Sequence, residues 1–146
     1  MAGFNNEPPN SEFRRYSSWG RTRQPKNIAG AHGTEASLST DAPNGNTGHV
    51  TENQRFLHLT YTHSNGNNHS ATIVVWGFSH SIGAWGKVKD IRGAAIEMDT
   101  VSTATQSQIF EISGIDKVYF QLTANGANGA PTKGANDEFF AACSTF

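Results

Sequence analysis

From Arg55 onward the apolar residues come in short runs, several of them alternating with polar residues, and clusters of Gly and Asn separate the runs. A period of two places successive side chains on opposite faces of an extended backbone, so each run specifies a strand with one face for a core. No window carries the i, i+3, i+4, i+7 stripe of an amphipathic helix. Short strands punctuated by turn residues close into a sandwich or a barrel. The pattern predicts an all-β fold: an antiparallel β-sandwich, jelly-roll-like, with a long extended N-terminal arm.

Residues 55–62 alternate, with Leu57, Leu59 and Tyr61 on one face and Phe56, His58 and Thr60 on the other. Residues 70–78 are rich in β-formers around Ile73-Val74-Val75-Trp76. Between them lies Ser64-Asn65-Gly66-Asn67-Asn68, a turn composition. A hairpin is expected, pairing Leu57 with Val75 and Leu59 with Ile73. The same register sets Phe56 against Trp76 and His58 against Val74, so the second face is also partly apolar. Phe56, Val74 and Trp76 are therefore candidate partner-binding residues, on a face to be covered by the arm or by another subunit. Further strands are expected over 87–91, 94–101, 108–112, 117–124 and 138–143. Ser113-Gly114-Ile115-Asp116 reads as the turn that makes 108–124 a second hairpin.

Residues 1–53 follow other rules. They are Asn, Pro, Gly, Ser, Thr and scattered charge, with isolated Phe4, Phe13, Tyr16, Trp19 and Ile28. Alone, such a segment cannot offset about 1–2 kcal/mol of backbone entropy per residue. The chain thus divides into an extended arm and linker, 1–53, and a β-sandwich domain, 54–146. The stretch 30–48 has a flexible connector's composition, and the arm is expected to be dispensable for folding. Phe13, Arg14, Arg15, Tyr16, Trp19, Arg21 and Arg23 interleave guanidinium groups with rings, the residue types enriched at protein-binding hot spots. They are the arm's candidate partner-binding residues. Nucleic acid is served by the same types, but a formal net charge of −1 gives no global basic excess to support it.

Candidates for chemistry are few. The single cysteine, Cys143, excludes an internal disulfide, and its Phe and Ala neighbours suit a buried inert thiol. His63 and His69, with His80 as a third ligand, are the nearest approach to a metal site. Glu97 and Asp99, two apart on one strand, resemble a carboxylate pair but also an ordinary solvated face. Gly83-Ala84-Trp85-Gly86-Lys87 lacks the glycine spacing of a phosphate loop, and Asn68-His69-Ser70 is a chance sequon. Trp76, Trp85 and Tyr119 would suit a sugar platform if they shared a surface. No catalytic, cofactor-binding or metal-binding residue is assigned, and no enzyme activity is expected. The N-terminal MAGFNNEPPN has no secretory character. No run reaches the roughly 18 apolar residues of a membrane span, so no membrane partner is expected.

The segment Ile112-Ser113-Gly114-Ile115-Asp116-Lys117-Val118-Tyr119-Phe120-Gln121-Leu122-Thr123 resembles the closing half of small bacteriophage virion proteins of the capsid decoration or cement type. There a turn leads into a strand, a Gly/Ala/Thr-rich loop and a short final strand, here 139–146. Gly93-Ala94-Ala95-Ile96-Glu97 and Asp99-Thr100-Val101 fit the same style, and the likeness covers about 70–146. It implies a non-enzymatic subunit on the virion's capsid surface, stabilising junctions between coat subunits. Its partners would be the major capsid protein and neighbouring copies of itself, as a trimer or dimer. The alternatives are a tail or neck component, and a carbohydrate-binding sandwich of a receptor-binding protein.

Overall fold

The structure, a computed structural model, describes residues 26–31, 33–63, 71–100, 105–124, 131 and 133–145. Among these residues there are nine strands and no helix: β1 (Lys26–Asn27), β2 (His49–Val50), β3 (Phe56–Thr62), β4 (Ala71–Ser79), β5 (Ala84–Lys87), β6 (Glu97–Asp99), β7 (Gln106–Glu111), β8 (Lys117–Ala124) and β9 (Glu138–Ser144). They form two sheets, ordered β1-β9-β3-β7 and β2-β8-β4-β5, with β6 beside β5 along the same edge of β4. All strand pairs are antiparallel. With β5 and β6 counted as one, successive strands alternate between the sheets except at β4 and β5, which pair within one sheet, and this is the order of a jelly roll. The expected all-β sandwich is what forms.

The alternating patterns become the core. Leu57, Leu59 and Tyr61 of β3 and Phe139, Ala141 and Cys143 of β9 face Ile73 and Val75 of β4 and Val118, Phe120 and Leu122 of β8. The Phe120 and Phe139 rings meet edge-on across the layers, with centroids 5.1 Å apart. Ile96, Met98 and Ile112 complete the filling.

Both expected hairpins are corrected. β3 pairs with β7 and β9, whereas β4 pairs with β8, β5 and β6. Leu57 and Val75 therefore belong to opposite layers and are not cross-strand neighbours. Alternation says which side chains point inward, and both hairpin and two-layer arrangements satisfy it. Likewise β7 and β8 lie in different sheets. Ile112 is buried between the layers, Ile115 packs against the core, and Gly114 takes a positive φ of 83° to make the crossing. The strand expected over 87–91 forms earlier, as β5, and that expected over 94–101 shrinks to β6. Asp90 Oδ1 accepts hydrogen bonds from the backbone N–H of Arg92 and of Ala94, closing a turn where extended chain was expected.

Part of the segment assigned to arm and linker lies on the sandwich. β1 extends the four-stranded sheet beyond β9. Ala36 N–H then donates to Phe139 O in one sheet, and Ser39 exchanges bonds with Phe120 O and Leu122 N–H in the other. This strap spans the two layers along one edge. Residues 33–48, most of the stretch with connector composition, are therefore pinned to the sandwich by backbone hydrogen bonds.

Candidate interaction surfaces

The outer face of the four-stranded sheet comes from the residues that alternate with the core. β3 presents Phe56, His58 and Thr60, β7 presents Ser107, Ile109 and Glu111, and β9 presents Phe140 and Ala142. Ile109 is 62% exposed. Between these strands and the turn after β1 runs a shallow groove of about 480 Å³, lined chiefly by His58, Thr60, Ile109, Phe140 and Ala142, with Asn27 and Gly33 at one side. Asn27 holds that side, its amide donating to Thr34 O and its side-chain oxygen accepting from Ala29 N–H. His58 Nε2 lies 2.6 Å from Ser144 Oγ, and burial pushes the imidazole pKa below its ordinary value. The groove is thus apolar with a neutral ring. At one end Arg55 reaches over Phe56 and donates from Nε to Glu111 Oε1 at 3.1 Å. Hydrogen bonds from Ser113 and Arg55 hold the Glu111 carboxyl below the usual range.

The outer face of the five-stranded sheet carries an aromatic strip. Phe78 and Trp85 have ring centroids 5.3 Å apart, and Trp85 and Tyr119 6.1 Å. Lys117 sits over Phe78 and Lys87 over Trp76. Residues 40–48 strap this face. Tyr119 Oη donates to Asp41 O, Gln121 Nε2 to Thr40 O, and Trp85 Nε1 to Asn44 O. Gly48, with φ near 98°, lies under the Trp85 indole, and an added Cβ would come within 2.6 Å of that ring.

One constellation escaped the sequence. Tyr61 Oη donates to the buried Asp137 Oδ2, with His63 Nδ1 4.0 Å from the same oxygen. Lys133 Nζ donates to Asp137 O and, at 3.3 Å, to Glu35 Oε1, which also accepts from Phe139 N–H. Burial and the Asp137 carboxylate push the Tyr61 pKa far up, so the phenol stays a donor. The group ties the strap to β9 and β3. Its members are up to 104 residues apart, and no local pattern marks them.

Phe56, Val74 and Trp76 do not share a face. Phe56 lies on the outer face of the four-stranded sheet, and Val74 and Trp76 on that of the five-stranded sheet, because the expected hairpin is a crossing. Val74 is buried, while Trp76 donates to Gln121 Oε1 at 2.8 Å. Phe13, Arg14, Arg15, Tyr16, Trp19, Arg21, Arg23 and His69 lie outside the described residues. His80 pairs with Asp116 at 3.2 Å, at the opposite end of β4 from His63's side, some 30 Å away for nine extended residues. Among the described residues no three His, Cys, Asp or Glu converge as metal ligands. Cys143 is buried and its pKa is raised to about 11 by desolvation, the state of an inert thiol. No described helix is long and apolar enough to cross a membrane. Comparison of the chain with protein-family models, curated proteins and solved structures finds no match in any of the three.

Proposed function

We propose that the chain is a structural subunit of a bacteriophage virion, of the capsid decoration or cement type, acting by assembly and not by catalysis. The observation that carries this is the character of the two outer faces. Ring and aliphatic side chains line both: Phe56, Ile109 and Phe140 on one, and Trp76, Phe78, Trp85 and Tyr119 on the other. A free two-layer domain needs only its inner faces to be apolar. Covering even a few hundred Å² of apolar surface contributes several kcal/mol, at about 25 cal/mol per Å². Viral capsid proteins and lectins both use jelly rolls, so the architecture alone does not choose between them. The partners in this proposal are the major capsid protein and further copies of the chain, as a dimer or trimer on the capsid surface.

Virions that lack the chain should release DNA at a lower temperature than complete ones, and adding back the purified chain should restore the difference. Equal thermal release with and without it would remove the cement role. Glycan binding is the second reading, favoured by Trp76, Trp85 and Tyr119 sharing one outer face. It ranks lower because both indole N–H groups are engaged within the chain and Lys87 lies over Trp76.

A further inference from the structure

We infer that the groove on the outer face of the four-stranded sheet receives the aromatic–arginine segment 13–23 of a neighbouring copy of this chain. This rests on the assembly reading above and names the surface that the arm would occupy.

Charge complementarity is the first support. Residues 13–26 contain five Lys and Arg and no Asp or Glu, whereas residues 27–146 contain six against ten. The basic stretch is thus attached to an acidic body. On the receiving sheet Glu111, which already accepts from Arg55, and Glu138 stand at opposite ends of the outer face, opposite Phe56 and Thr62 respectively. Cations and rings can alternate along such a path, rings in the groove and guanidinium groups toward the carboxylates.

The groove is chemically suited to rings. Ile109, Phe140 and Ala142 offer apolar contact, and His58, the one ionisable side chain among the described lining residues, is held toward the neutral form by burial. None of the described lining residues is Lys or Arg, and Arg55 at the groove's end is paired with Glu111. Beyond Ile109 the sheet ends at β7, which has β3 on one side and no described strand on the other. Gln106–Glu111 has neither Pro nor Lys to block an edge.

Chain direction favours a neighbour over the same molecule. Lys26 lies opposite Cys143 and Asn27 opposite Ala142, so the chain reaches β1 from the Ser144 end of the sheet. The groove extends the other way, toward Phe140 and Thr60. An arm returning to its own groove must reverse course next to Pro25, whose preceding residue prefers extended backbone. An arm from another copy has no such constraint.

Disulfide trapping in the full-length chain tests this. Ser18→Cys, beside Trp19, is mixed with a second chain carrying Ser107→Cys, at the groove wall. Buried Cys143 serves as the unreactive internal control. Oxidation should give a mixed covalent dimer, and adding Ile109→Asp to the second chain should cut its yield about tenfold or more. Trp19→Ala in the first chain should do the same. Absence of the mixed dimer, or a yield indifferent to both changes, would overturn the proposal. A chain carrying both cysteines that links only within itself would place the arm on its own body and overturn the exchange. The trap uses purified chain with no virion present, so it can fail while virion association stands, and the reverse.

Discussion

At the scale of single residues, the alternation that defines β3 and β8 was fully legible, because a buried inner face demands it, whereas the Phe-Phe-Ala-Ala run of β9 marks a strand without marking its faces. The polar cluster at the end of the sandwich was not, since Tyr61, Asp137, Glu35 and Lys133 meet only once the chain is folded. Tyr61→Phe removes the hydroxyl donor from a buried carboxylate and should cost about 1–3 kcal/mol, read as a lower melting temperature with the fold retained. Gly48→Ala combines a left-handed backbone with a clash against Trp85 and should destabilise by about 1 kcal/mol or more. Thermal unfolding should also depend on pH. Burial lowers the pKa of His49 and of His58 below 6.5, so just below that value the unfolded chain binds more protons than the folded one. Stability therefore rises with pH through this window and falls as pH drops below 6.5. Replacing His49 and His58 with Gln should flatten that slope, measured as melting temperature between about pH 7.5 and 5.

At the scale of elements, strand existence was easier to read than strand partnership. The connections 64–70 and 112–116 have ordinary turn composition, yet each joins strands in opposite sheets. Inward patterning cannot separate a hairpin from a crossing, because both leave Leu57, Leu59, Ile73 and Val75 on a core. What breaks the tie is the middle of the connection itself, where Ile112 and Ile115 are apolar and enter the core. That signal was present and points away from a solvent-exposed hairpin turn. The strap was misjudged for another reason. Gly, Ser and Asn are as common in coil pinned by backbone bonds as in free linkers, and only long-range partners such as Phe139 O and Phe120 O distinguish the two. A chain beginning at Lys26 should accordingly unfold close to the full-length midpoint. One beginning at Val50 loses β1, the buried Ala36 and the Ser39 bridge, and its midpoint should fall by several degrees, at roughly 2–4 °C per kcal/mol. Equal midpoints for the two truncations would mean that the strap contributes nothing to the fold.

For the whole molecule, the jelly roll positions two apolar outer faces back to back, one strapped by the chain itself and the other carrying a groove beside β7, the last described strand of its sheet. The sequence suggested a face in need of covering, and Phe56, Val74 and Trp76 were each placed away from the core. Their distribution over two layers was invisible without the topology. The proposed function draws only on texture in the sequence, the resemblance of 112–123 to small virion proteins, because assembly surfaces need no fixed constellation of reactive groups. The most direct measurement is the copy number of this chain in purified, intact virions, determined by quantitative mass spectrometry against the major coat protein. A structural subunit on capsid junctions should be present at a reproducible ratio set by capsid symmetry and should survive washing in high salt. Absence from clean particles, or a trace amount varying between preparations, would contradict the assignment.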